Sequence, residues 1–353
     1  MRIPKLFCYV IAIGMLGSIG TTVGAQSRNP GQVDVRLVTD EAEAVLAILE
    51  KKRTHDVTEE DWRRLFASEG YVRLKRREAS MRRDFTDDEF KAFVLSDPLA
   101  NNAAALAKTL TSWKQASLKA AAKRALAYLP KEATIHAKIY PVIKPRENSF
   151  VFEVNSDPAI FLYLNPEMTK QQFENTLAHE LHHIGFGTSC PAKDAANEIG
   201  KRSATEQGLM KLLGAFGEGF AMLAAAGGPN IHPHQFSKPE DRTRWDRDVA
   251  NYESDFHKVE QFFLDILAGK LSDDEISKIA FSFFGVQGPW YTVGWKMATI
   301  IEKTYGRPKL IECICDQRKF LSTYNQAAAL NHHKRGERLP LWSETLVKAT
   351  RGG

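Results

Sequence analysis

The sequence is short of cysteine, has no large charge of either sign and opens on an extended apolar run. Four cysteines in 353 residues exclude a disulfide-rich secreted scaffold. Cys8 sits inside the apolar run without a lipobox, so no lipoprotein is expected. Cys190, Cys313 and Cys315 lack the spacing of a zinc knuckle. Cys313 and Cys315 are too close in sequence to bridge comfortably; either Cys190 pairs with one of them, or all three stay reduced and buried. The 48 basic and 43 acidic residues leave a net charge of +5, which falls to +3 once Arg2 and Lys5 leave with a cleaved leader. That excess is too small to argue for a nucleic-acid partner. The basic run Arg73, Lys75, Arg76, Arg77, Arg82 and Arg83 reads as a solvated helix face. Beyond the leader no run looks able to span a bilayer, which takes about 20 apolar residues. No stable membrane insertion is therefore expected after cleavage. Internal repeats and low-complexity tracts are absent too.

What is present begins with that leader. Arg2 and Lys5 precede the apolar stretch Leu6–Ile19, and Val23-Gly24-Ala25 supplies small residues for cleavage near Ala25. Residues 1–25 are therefore expected to be a signal peptide, with an uncleaved N-terminal anchor as the alternative, and the protein to be exported to the periplasm or secreted. Residues 26–33 read as a linker around Asn29-Pro30-Gly31. Residues 34–130 read as a helical region, with Thr58 and Thr86 placed to cap helices and a long alanine-rich helix from Ala103 to Leu129. After Pro130 the period changes. Ala133–Ile143 alternates and is rich in branched side chains, which predicts a strand; Phe150–Val154 and Ala159–Leu164 predict two more. A helix follows over about Thr169–Gly185, and the remainder reads as mostly helical. The expected fold is α+β and mostly helical: a helical N-terminal region, then a zincin-like catalytic domain over residues 131–353 with a small sheet ahead of one central helix.

That helix carries His179-Glu180-Leu181-His182-His183, an HExxH motif. On an α-helix, residues four apart lie on one side, one turn apart. His179 and His183 can therefore share a metal, while Glu180 reaches a water on it as general base. Phe173, Leu177, Leu181 and Ile184 form the apolar stripe, and His182 points away from the site.

Three protein ligands are needed. Six residues after His183, where a further histidine would complete one common pattern, stands Ser189. Glutamates on following helices are the alternatives: Glu198, Glu206 and Glu218. Glu218 is favoured, because it lies in Gly217-Glu218-Gly219-Phe220-Ala221, ahead of an apolar run. A carboxylate there is costly unless paired or metal-bound. The flanking glycines suit a close approach of another backbone. Tyr291, after Gly288-Pro289, is the candidate donor to a reaction oxyanion, with His257 the second choice. A core aromatic beside Trp290 and Trp295 explains Tyr291 slightly more readily. His232 and His234 read as surface-loop residues.

The strand, the HExxH helix and the later EGFA segment resemble the gluzincins, the zinc peptidases whose third ligand is a glutamate. EGFA is similar to the NEGFA segment of the aminopeptidase N and leukotriene A4 hydrolase family. The 34 residues between His183 and Glu218 exceed that family's gap, and no GAMEN-like exopeptidase strand is present, so aminopeptidase activity does not carry over. A bacterial family of zinc-dependent peptidases of unknown function is more similar, over about Val35–Leu346. The resemblance there includes Trp290–Ala298 and Tyr305-Gly306-Arg307. It implies a site for Zn2+ and a hydrolase fold, but no known substrate; a peptide or protein substrate is expected by analogy, because the edge of the sheet ahead of the HExxH helix can hold an extended peptide. The expected function is an exported zinc-dependent hydrolase, a peptidase. Hydrolysis of a non-peptide bond, or binding without turnover on the same fold, are the alternatives.

Overall fold

A computed structural model describes residues 33–54, 56–190, 193–335 and 338–351. The expected signal peptide and nearly all of the expected linker lie outside the described residues. The chain forms two compact units: residues up to 120 with 135–176, and residues 121–134 with 177–353.

The first unit holds a four-stranded mixed sheet. Its strands are β1 (Val33–Leu37), β2 (Ile135–Val142), β3 (Phe150–Phe152) and β4 (Ala159–Tyr163), in the order β1-β2-β4-β3. β1 and β4 run parallel to β2, and β3 runs antiparallel to β4. The three strands expected after Pro130 are present. β1 was not anticipated: Val33-Asp34-Val35-Arg36-Leu37 alternates over five residues only, and its partner starts at Ile135.

The helices of this unit are α1 (Asp40–Thr54), α2 (Glu59–Ala67), α3 (Glu69–Ser80), α4 (Asp87–Val94) and α5 (Asp97–Lys114). α6 (Leu118–Leu126) runs on into the second unit. The single long helix expected from Ala103 is thus two. Ser117 interrupts it: its hydroxyl accepts from Ala120 N, and its own N–H donates to Glu174 Oε1, so the backbone starts a new helix. The basic run is not one solvated face. Arg73 is buried against Glu153, Asp157 and the Tyr140 hydroxyl, and Arg77 is buried against Glu78.

Glu41 on α1 is also buried in this unit. One oxygen accepts from Ile143 N at 3.1 Å, and the other has no hydrogen-bond partner. Burial pushes its carboxyl up to about 8. The folded chain therefore keeps this proton to about pH 8, whereas the unfolded chain releases it near the ordinary value of about 4.3. Folding takes up a proton in that window, so this group's contribution falls as pH rises through it. In thermal melts, wild-type stability measured relative to Glu41→Gln should therefore fall as pH rises from the ordinary carboxyl range towards about 8.

The second unit is helical. α7 (Lys170–Ser189) enters it from the first unit and is followed by α8 (Lys193–Gly200), α9 (Ala204–Leu213) and α10 (Gly217–Ala226). Then come α11 (Pro239–Ala250), α12 (Tyr252–Leu267), α13 (Asp273–Ser282), α14 (Pro289–Tyr305), α15 (Arg307–Cys315), α16 (Phe320–Arg335) and α17 (Glu344–Arg351). Aromatic side chains fill the core: Phe216 meets Trp290 edge-on at 5.2 Å, and Phe263 stacks on Trp290 at 6.0 Å. Cys190 is bonded to Cys315, and Cys313 is a buried free thiol. The stretch Ala204–Ala226 is apolar and long enough to cross a membrane by composition, contrary to the sequence expectation. It is α9, one 3-10 turn and α10, and α10 is buried along its whole length.

Candidate metal centre

The HExxH segment lies in α7, as its period requires. Leu177, Leu181 and Ile184 are fully buried, as is Phe173 one turn earlier. That burial fixes the helix's rotation and turns His179 and His183 to a common side. Their Nε2 atoms are 3.0 Å apart. Glu218, from the first turn of α10, brings its Oε2 to 3.2 Å from His179 Nε2 and 3.4 Å from His183 Nε2. Among the described residues, these three form the one cluster of ligand-type side chains able to hold a metal ion.

The separations test the fit. Zinc bonded at about 2.0–2.1 Å in tetrahedral geometry requires donors roughly 3.3–3.4 Å apart. Three donors at 3.0, 3.2 and 3.4 Å come close to that triangle. Three ligands also leave a fourth position for water or substrate.

The electrostatics agree. Glu218 is 2% exposed. Burial alone would push its carboxyl up, but the His183 and His179 imidazoles outweigh this and hold it below the usual carboxylate range. Burial pulls His183 down, and the Glu218 carboxylate together with the Glu180 charge more than restores it, so its net shift is upward. Both shifts express one thing: the site attracts positive charge. Glu180 lies one residue round the helix, 1% exposed and outside the donor triangle. Burial, aided by the Glu218 charge, raises its carboxyl against the opposing pull of the two histidines. A carboxyl raised in this way accepts a proton more readily than an ordinary carboxylate.

A family model described as "putative zinc dependent peptidase" (DUF5700) matches residues 51–333. The chain belongs to this family. No curated protein and no solved structure matches it. Membership in a zinc-dependent peptidase family makes Zn2+ the cofactor to expect of the triangle, and the matched span contains His179, Glu180, His183, Glu218 and Tyr291.

α10 of this family member approaches α14 very closely. A Cβ built on Gly219 would lie 2.1 Å from Trp295 N and 2.4 Å from the Gly294 carbonyl carbon. One built on Gly294 would lie 2.7 Å from Phe216 O. Glycine at both places lets the two backbones touch, and that contact sets where Glu218 stands. The sequence reading gave both glycines flanking Glu218 this role. Only Gly219 has it, since a Cβ on Gly217 meets nothing within 4 Å. Gly294, the other half of the contact, was missed; its signal was a glycine in the middle of the helical run Tyr291–Tyr305.

Tyr291, at the start of α14, is 3% exposed. Its ring lies parallel to the His179 imidazole, with centroids 6.3 Å apart and planes at 13°. The remaining candidates are elsewhere. Glu198 is exposed and paired with Lys201, and Glu206 caps α9 through Ser203. His257 is exposed beside Glu260. His232 pairs with Asp246. His234 is not on the surface: it is buried with Nδ1 2.8 Å from Ser237 Oγ, and burial pushes it down to about 4. His182 is buried outside the donor triangle, and burial pushes it down to about 3, so it stays neutral.

Proposed function

We propose that the chain is an exported zinc peptidase in which His179, His183 and Glu218 hold the metal, Glu180 is the general base and Tyr291 donates to the oxyanion. The observation that carries this reading is the triangle of donor atoms 3.0–3.4 Å apart. When bound, zinc supplies Lewis acidity, which polarises a peptide carbonyl and brings the pKa of coordinated water down towards about 7.

The chain's own groups supply the proton traffic. Glu180 takes a proton from the attacking water and delivers it to the leaving amine. Its burial favours the protonated form between these two transfers. The Tyr291 hydroxyl, carried by a ring set against His179, donates to the oxygen that gains negative charge. Export rests on Arg2, Lys5, the apolar stretch Leu6–Ile19 and the small residues ending at Ala25. In that compartment the substrate is a peptide or protein.

The test is hydrolysis of a mixed peptide pool, read by mass spectrometry, before and after chelation. Cleavage should disappear with the metal and return with stoichiometric zinc. Undiminished cleavage by fully stripped protein would refute the reading. Cleavage of ester probes but of no peptide by the zinc-loaded protein would move the substrate to another class.

A further inference from the structure

The first unit buries more positive than negative charge at the turn between α3 and α4. Arg77 and Lys144 are 3% and 4% exposed, and the carboxylate buried with them is Glu78. Glu78 accepts from Arg77 Nη1 at 2.7 Å and stands 3.3 Å from Arg83 Nε. It is therefore already shared by two guanidinium groups. Arg83 Nη2 is buried and has no hydrogen-bond partner. Lys144 Nζ donates to the Arg146 carbonyl and to Asn148 Oδ1, and lies 5.5 Å from the centroid of the Phe150 ring. Burying unbalanced charge is costly. Burial, with Arg77, Arg83 and Arg146 nearby, pushes Lys144 down to about 7 against the pull of Glu78.

A cavity of about 200 Å³ opens at this cluster. Leu74, Phe85, Phe90 and Pro145 give it an apolar wall, and Arg83, Lys144 and Arg146 line it with positive charge. Two further acidic residues, Asp84 and Glu89, line it and are exposed. Glu89 is occupied at the start of α4, accepting from Thr86 N at 2.7 Å and from its hydroxyl at 3.1 Å. Size narrows the occupant, since an apolar cavity of about 150 Å³ accommodates benzene. A bare phosphate would leave the apolar wall uncovered, and a hydrocarbon would leave Arg83 Nη2 unpaired.

We propose that this cavity binds a small carboxylate with an apolar body. The anionic head meets Arg83 Nη2 and Lys144 Nζ, and the body lies on Leu74, Phe85, Phe90 and Pro145. Such a ligand is either the C-terminus of a peptide ending in an apolar residue or a free small acid. The site belongs to the unit that lacks the metal cluster and does not depend on the zinc reading.

Calorimetric titration of the full chain tests this with 3-phenylpropionate, N-acetyl-phenylalanine and the uncharged amide of each. Both acids should bind saturably, about tenfold or more tighter than their amides, as a charge-assisted hydrogen bond implies. Tighter binding of N-acetyl-phenylalanine identifies a peptide terminus, and tighter binding of 3-phenylpropionate a free acid. Arg83→Gln should remove the preference for acid over amide, with its thermal melt confirming that the variant is folded. Made on wild-type chain stripped of metal, so that no open zinc position takes the carboxylate, the acid–amide comparison decides the matter even if that variant fails to fold. Equal affinity for acid and amide, no saturable binding at millimolar ligand, or a preference that survives Arg83→Gln would each overturn the proposal.

Discussion

Replacing Glu180 by glutamine should lower peptide turnover by about 100- to 10,000-fold, the usual contribution of a positioned general base, while leaving zinc content unchanged. Glu180 lies outside the donor triangle formed by His179, His183 and Glu218, so removing its charge takes no ligand away. The amide keeps the side chain's size in a site only 1% exposed, so packing should be preserved. What is lost is the ability to accept a proton. Steady-state kinetics beside metal analysis of the same preparation separates the two effects. Loss of activity together with loss of zinc would make Glu180 part of the metal site instead. Unchanged turnover would assign the base elsewhere.

Gly219→Ala should destabilise the protein by about 3 kcal/mol or more, at or beyond the upper end of ordinary overpacking costs. The added methyl would meet the Trp295 backbone nitrogen at 2.1 Å. A backbone atom inside a buried helix cannot swing aside as the end of a side chain can, so α10 and α14 must separate. Glu218 immediately precedes Gly219, and zinc affinity should fall with stability. Gly217→Ala is the matched control. Its methyl meets nothing within 4 Å, and replacing a helical glycine gains up to about 1 kcal/mol. Chemical denaturation of the two variants should therefore move in opposite directions.

The parts of this protein that could be read from its sequence are those governed by local period. HExxH on a helix fixes the relation of His179 to His183 without any tertiary information, because 3.6 residues per turn dictates it. Glu218 was legible for a different reason: a carboxylate inside an apolar run needs a partner, and α10 is buried throughout. The strand from Ile135 announced itself by alternation and by its branched side chains. What escaped was non-local. β1 is five residues long and gains its meaning from a partner about a hundred residues later. Gly294 matters only because Phe216 and Gly219 are packed against it. The pairing of Cys190 with Cys315 rather than Cys313 is settled by the fold, not by spacing. The burial of Arg73 and Arg77 depends on acceptors from Glu153, Asp157 and Glu78; composition alone made these arginines look like solvated charges. Export remains a reading of residues 1–25.

The most direct measurement is the zinc content of purified wild-type protein and of Glu218→Ala after exhaustive dialysis. The triangle of His179, His183 and Glu218 calls for stoichiometric zinc in the wild type and depleted zinc in the variant, with circular dichroism showing that both are folded. A wild-type chain that takes up no metal under loading conditions, or a Glu218→Ala chain that holds zinc as tightly as wild type, would contradict it.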